Sequence, residues 1–214
     1  MESDNDDNMM LEEGGQESGK LLDFGNIETP QALVSLEIKR VSVPPHRMTP
    51  LKANWEKIVA IIAGKMKLQI RMNVPRKCVE IRASEQTETP MALQKTVDFL
   101  KAFMYGFDIN DAVALLRVED LFLDSFEIKD VKTLHGDHMS RAIGRITGEK
   151  GKIKHSIENA TKTRIVVADS KIHIMGGYGN LKLARTALSN LILGKPPSKI
   201  NSQLKYIAKK KTEF

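Results

Sequence analysis

Residues Gly148-Glu149-Lys150-Gly151 place two glycines three apart between stretches of helical periodicity, and nothing else in the chain constrains its fold as closely. Ahead of the pair, Ala142, Ile143 and Ile146 repeat at helical spacing within Met139 to Ile146. Behind it, Ile153, Ile157 and Ala160 fall at i, i+4 and i+7, one apolar stripe of a second helix. Glycine takes the positive φ angles that a tight turn between helices demands, and it lets main chain approach a ligand closely. The first amides of the second helix lack intrahelical partners, so an anion is drawn to the same spot.

The flanking segments extend the pattern. Leu121 to Val131 reads as a strand carrying Phe122, Phe126 and Ile128. Arg164 to Ala168 and Lys171 to Ile174 form a hairpin turned at Asp169-Ser170 and closed by Gly176-Gly177. Asn180 to Leu193 is helical, stopped by Gly194 and Pro196-Pro197. The order βααββα, with the glycine loop between the first two helices, resembles a type I K-homology (KH) domain, in which such a loop clamps the backbone of about four nucleotides.

Residues 33–116 repeat the alternation. Leu36 to Val43 reads as a strand. A helix capped at Thr49-Pro50 carries Trp55, Ile58, Val59 and Ile62 as far as Gly64. Strands follow around Leu68 to Met72 and Val79 to Ile81, then a helix opened by Thr89-Pro90. No Gly-x-x-Gly occurs between residues 36 and 116. The predicted fold class is therefore α+β: two tandem KH-like domains, the first a degenerate βαββα and the second a type I KH βααββα. The expected division is an acidic, disordered tail over 1–32, a KH-like domain without the loop over 33–116, a type I KH domain over 117–198, and a basic C-terminal helix or tail over 199–214. In the last segment Ile200, Leu204 and Ile207 keep helical spacing, with Lys205, Lys209, Lys210 and Lys211 outside it.

Charge agrees with a polyanionic partner. Residues 1–24 hold eight acids against Lys20 alone, a net of −7 within a chain of +6, which leaves +13 on the remainder. Such a body gains salt-dependent affinity for phosphates through counterion release. Aromatic residues make up only 5% of the chain, whereas many single-strand binders stack bases on aromatic platforms; a KH groove instead uses aliphatic side chains and backbone edges, which this chain can supply. No apolar run approaches the roughly 18 residues of a membrane span. The first segment has neither the apolar run nor the basic start of a leader. A single cysteine, Cys78, excludes an internal disulfide and fits a reducing compartment.

Other chemistries fail on spacing. A phosphate-binding P-loop needs a glycine at 146 and a hydroxyl at 153, where isoleucines stand. His135 and His138 lack a third ligand at zinc spacing, and no serine completes a triad around Asp137. A binding protein without cofactor or metal is expected, not an enzyme.

Gly148 and Gly151 are the expected points of close approach, with Lys150 and Lys152 neutralising phosphate. Arg141, Arg145 and Lys154 would extend a basic rim along both helices, and Lys162 and Arg164 would reach base edges or sugar from the strand opposite. Ile143, Ile146, Ile153 and Ile165 would be shared between core and groove, with pure core the expected reading for each taken singly. Glu149 departs from a wholly basic loop.

Several runs together are more specific than a KH pattern alone: Gly144 to Lys152, Ile157-Glu158-Asn159-Ala160-Thr161, Ile172 to Gly177 and Leu193-Gly194-Lys195-Pro196-Pro197. With them, residues 33 to 208 resemble the partner-of-Nob-one family of small-subunit ribosome assembly factors. The resemblance implies a non-catalytic factor of the pre-40S particle that binds the 18S rRNA precursor near its 3′ end, beside the Nob-one type endonuclease that trims it. It also implies residence in nucleolus and nucleus with shuttling to the cytoplasm. The competing expectations are a KH-fold protein-interaction scaffold, which a loopless first copy favours, and a KH regulator of messenger RNA.

Overall fold

The computed structural model describes residues 38–84, 86, 87 and 91–212, with side chains as far as 207. The acidic segment and the helix start at Thr89-Pro90 lie outside the described residues.

In the first half, β1 (Ile38–Ser42), β2 (Leu68–Asn73) and β3 (Cys78–Ala83) form an antiparallel sheet of order β1-β3-β2. Alternation sorts its faces: Val41, Val79, Ile81 and Leu68 enter a core, while Arg40, Glu80 and Arg71 line up across the strands on the other face. That face is covered by no element among the described residues. Its central Glu80 accepts from Arg71 Nε at 3.1 Å and Asn73 Nδ2 at 3.2 Å, and these bonds hold its carboxyl below the usual carboxylate range. The helical stretch expected from Thr49 to Gly64 is two helices, α1 (Met48–Ala53) and α2 (Trp55–Met66). They meet at Asn54, whose Nδ2 donates to Pro50 O at 2.9 Å. Thus one asparagine stands where the second half has a four-residue loop. The long α3 (Ala92–Tyr105) and two short helices, α4 (Ile109–Ala112) and α5 (Ala114–Arg117), close this core with Phe99, Leu100, Leu115 and Leu116.

The second half holds β4 (Leu121–Glu127), α6 (Ile128–Val131), α7 (Asp137–Thr147), α8 (Lys152–Thr161), β5 (Arg164–Ala168), β6 (Lys171–Gly177), α9 (Tyr178–Ile192) and α10 (Pro197–Thr212). Its sheet is antiparallel with order β4-β6-β5. The strand expected over 121–131 stops at Glu127, because the Glu127 and Asp130 side chains cap each other's backbone amides and wind the next four residues into a single turn. Ile128, Ile146, Ile157, Ile165, Ile172 and Ile174 are all buried in the second core, packed between helices and sheet. The C-terminal stretch is a docked helix, since Ile200 and Leu204 enter that core and Ser156 Oγ donates to Asn201 Oδ1 at 3.1 Å.

The other face of the second sheet packs on the first half. Met175 is buried in the first core, and Leu121, Leu123 and Val166 are packed against it. His173 does point out from its own core, as the Ile172-His173-Ile174 alternation requires, but it is buried at this seam. Its ring stacks on Tyr105 with centroids 4.2 Å apart and planes 4° from parallel, and Nδ1 lies 2.6 Å from Ser125 Oγ. Burial, with Lys171 as a lesser cause, pushes its pKa below the ordinary histidine value. Arg164 Nε bonds Asp111 Oδ1 at 3.0 Å across the same seam.

Candidate nucleic-acid interface

The glycine loop, Gly148–Gly151, is a tight turn between α7 and α8 in which the Gly151 amide donates to Gly148 O at 3.3 Å. Gly148 has φ 70 and ψ −179, a conformation essentially confined to glycine. A Cβ there would lie 2.6 Å from Ile153 Cγ1. The bare α-carbon at 148 therefore serves the loop's own packing, because Ile153 fills the space a side chain would take. Lys150 (φ 52) and Gly151 (φ 78) are both left-handed, so the chain reverses sharply and enters α8. Glu149, Lys150 and Lys152 are exposed while Gly148 and Gly151 are half-buried, which presents a backbone ridge with two lysines at a helix start. A helix N-terminus and adjacent ammonium groups suit a phosphate.

The structure brings Gly148, Glu149, Lys150, Gly151 and Lys152 together and distributes the other expected residues differently. Arg141 is exposed on α7, two turns before the loop. Arg145 is committed to the fold: its Nε donates to Leu191 O at 3.2 Å and its Nη2 to Ile192 O at 3.4 Å. The Leu191 carbonyl also accepts the Gly194 amide at 3.0 Å, so the guanidinium adds a second donor there and reaches the Ile192 carbonyl beside it at the end of α9. Ile146 is fully buried and offers nothing to a groove, and Ile165 is 1% exposed. Ile143 and Ile153 are half-buried beside the loop. Lys154 turns back to Glu158, with Nζ 3.8 Å from Oε1.

Lys162 and Arg164 lie at the far end of α8, about 15 Å from the loop by helical rise. There they line a cleft of about 660 Å³ between the two halves, together with Asn110, Asp111, Asp120 and Glu158. Arg164, expected to reach base edges or sugar, pairs in register with Met175, whose side chain faces the first half.

Two residues that spacing did not single out are linked on the stretch of α8 that leads away from the loop. Glu158 is 4% exposed, and its Oε1 accepts the Ile165 amide at 2.8 Å, tying α8 to the edge strand β5. Its Oε2 lies 2.8 Å from Nδ1 of His155. Gly151, His155 and Glu158 fall at i, i+4 and i+7, one stripe of α8 from loop to strand. That i, i+4, i+7 spacing was visible in the sequence, but a glutamate on a helix gives no sign of burial. Among the described residues no group of acidic, histidine or cysteine side chains could hold a metal, and no helix is long and apolar enough to cross a membrane.

The family model for the second PNO1 KH domain, described as a eukaryotic type KH-domain (KH-domain type I), matches residues 125–209. The pre-rRNA-processing protein PNO1 of Kluyveromyces lactis is 56% identical over 184 residues, 86% of this chain and 67% of the relative. The RNA-binding protein pno1 of Ixodes scapularis is 55% identical over 172 residues, 80% of this chain and 74% of the relative. A chain in the solved a/eIF2alpha–aDim2p–rRNA complex of Pyrococcus horikoshii superposes with a TM-score of 0.70 at 26% identity, covering 81% of this chain and 95% of that one.

Proposed function

Because the chain belongs to the PNO1 family of pre-rRNA-processing proteins, we propose that it holds single-stranded precursor ribosomal RNA against the Gly148–Gly151 loop. The observation that carries this reading is the exposed, left-handed turn with Lys150 and Lys152 at the start of α8. Backbone amides and two ammonium groups grip a phosphate without reading bases, so register on the strand comes from the clamp and sequence choice from the neighbouring groove.

The finer role is a non-catalytic one. The chain binds near the 3′ end of 18S rRNA in the pre-40S particle and positions the Nob-one type endonuclease there, travelling from nucleolus and nucleus to cytoplasm. In this reading the RNA-holding unit spans 117–198 and is buttressed by α10. The unit over 33–116, with Asn54 in place of a glycine loop, faces its sister and protein neighbours. That substitution is the observation favouring a partial scaffold role.

Lys150 and Lys152 are exposed, so replacing both with Asp keeps the fold. Affinity for single-stranded RNA should fall at least tenfold at fixed salt, with a shallower salt dependence, each lost phosphate contact removing about 0.7 from the log-log slope. Unchanged affinity would remove the clamp. Crosslinking and sequencing of RNA bound in cells should recover the 3′ region of 18S precursor; recovery of messages alone would overturn the ribosomal role.

A further inference from the structure

Resting on the loop as the clamp, we propose that His155 reads the ribose 2′-hydroxyl of the clamped strand and gives the site its preference for RNA over DNA. The side chain of His155 is 62% exposed, whereas that of its partner Glu158 is 4% exposed. A carboxylate only accepts hydrogen bonds, so the 2.8 Å contact to Glu158 Oε2 places the proton of the neutral ring on Nδ1. Nε2 is left as an acceptor, and among the described residues it has no hydrogen-bond partner. Glu158 is itself fixed by the Ile165 amide, so the ring is held from behind and does not swing freely.

The acceptor is aimed at the clamp. A Cβ built on Gly151 would lie 3.5 Å from Nε2, so the ring edge flanks the second glycine of the loop. In the proposed complex the ribose of a phosphate seated on that loop would meet the same edge. The 2′-hydroxyl donates a hydrogen bond and is the sugar group by which RNA differs from DNA. Lys150 and Lys152 bind either backbone alike; the imidazole is the neighbouring group that distinguishes them.

The test uses the full chain, with single-stranded RNA of the 18S 3′ region and DNA of equivalent sequence, at one salt concentration. Wild type should bind the RNA about three- to tenfold more tightly, the range of one neutral hydrogen bond. His155→Phe, which keeps a flat ring without the acceptor, and His155→Ala should both bring RNA affinity down to the DNA value and leave DNA affinity unchanged. In RNAs carrying one 2′-deoxynucleotide each, a single position should reproduce the loss in wild type and have no effect in His155→Phe. Equal weakening on RNA and DNA, or an unchanged ratio, would overturn the proposal. Failure of the clamp itself reads differently, as a Lys150→Asp, Lys152→Asp protein that binds both nucleic acids as wild type does.

Discussion

At the scale of single residues, Gly148 and Gly151 occupy like positions in the motif and do unlike work. Gly148 combines a conformation closed to other residues with a side-chain space already filled by Ile153. Gly148→Ala should therefore lower stability by about 1–3 kcal/mol, read from urea melts, and weaken RNA binding only as a consequence of the disturbed loop. Gly151, whose added Cβ would meet only ordinary contacts with His155, should tolerate alanine at the smaller cost of a left-handed residue, about 1–2 kcal/mol. The loop was legible in the sequence because glycine spacing and helical period are local properties. The commitments of Arg145 to α9 and of Arg164 to Asp111 were not, since both partners are distant along the chain and an arginine beside a loop looks the same whether it faces RNA or a helix end. Ile146 illustrates the same limit: periodicity places it on a face, and only packing decides that the face is fully buried.

At the scale of elements, the two sheets share order and direction while their outer faces meet different surroundings. The first exposes Arg40 and Arg71 around Glu80; the second buries Met175 and His173 beneath α3 and its neighbours. A histidine buried in neutral form binds its proton more weakly in the folded state than in the unfolded one. Its contribution is complete above the unfolded value of about 6.5 and is lost as pH falls below it toward the depressed folded value. Urea melts between pH 8 and pH 5 should show stability declining below about pH 6.5, with a flatter profile for His173→Phe, which keeps a ring against Tyr105. An identical slope in that variant would locate the titration elsewhere. The alternation of strands and helices was legible in both halves because strand and helix periods differ so plainly, although the one helix expected before β2 is two. The single turn of α6 and the break at Asn54 were missed, since each depends on a cap or a turn of one or two residues inside a longer apolar pattern.

For the whole molecule, charge is distributed along the chain as well as over its surface. A net of −7 in residues 1–24 beside +13 in the rest should oppose RNA at low ionic strength. Deleting those residues should raise affinity at about 0.01 M salt, where screening lengths reach roughly 30 Å, and change little above about 0.15 M. An effect that persisted at high salt would point to a specific contact instead. What sequence patterning could not supply was the seam. Two copies of one fold can be joined in many ways, and the chosen one depends on Leu121, Leu123, Val166 and Met175, which read as ordinary strand residues until their covered face is seen. That seam sets the two sheets apart. One half gives its helices to the back of the other's sheet, but the corresponding surface of the first sheet carries the Arg40–Glu80–Arg71 row, which a third copy would have to strip of water. Among the described residues that row of ionised side chains guards the open face of the first sheet against stacking of an apolar surface.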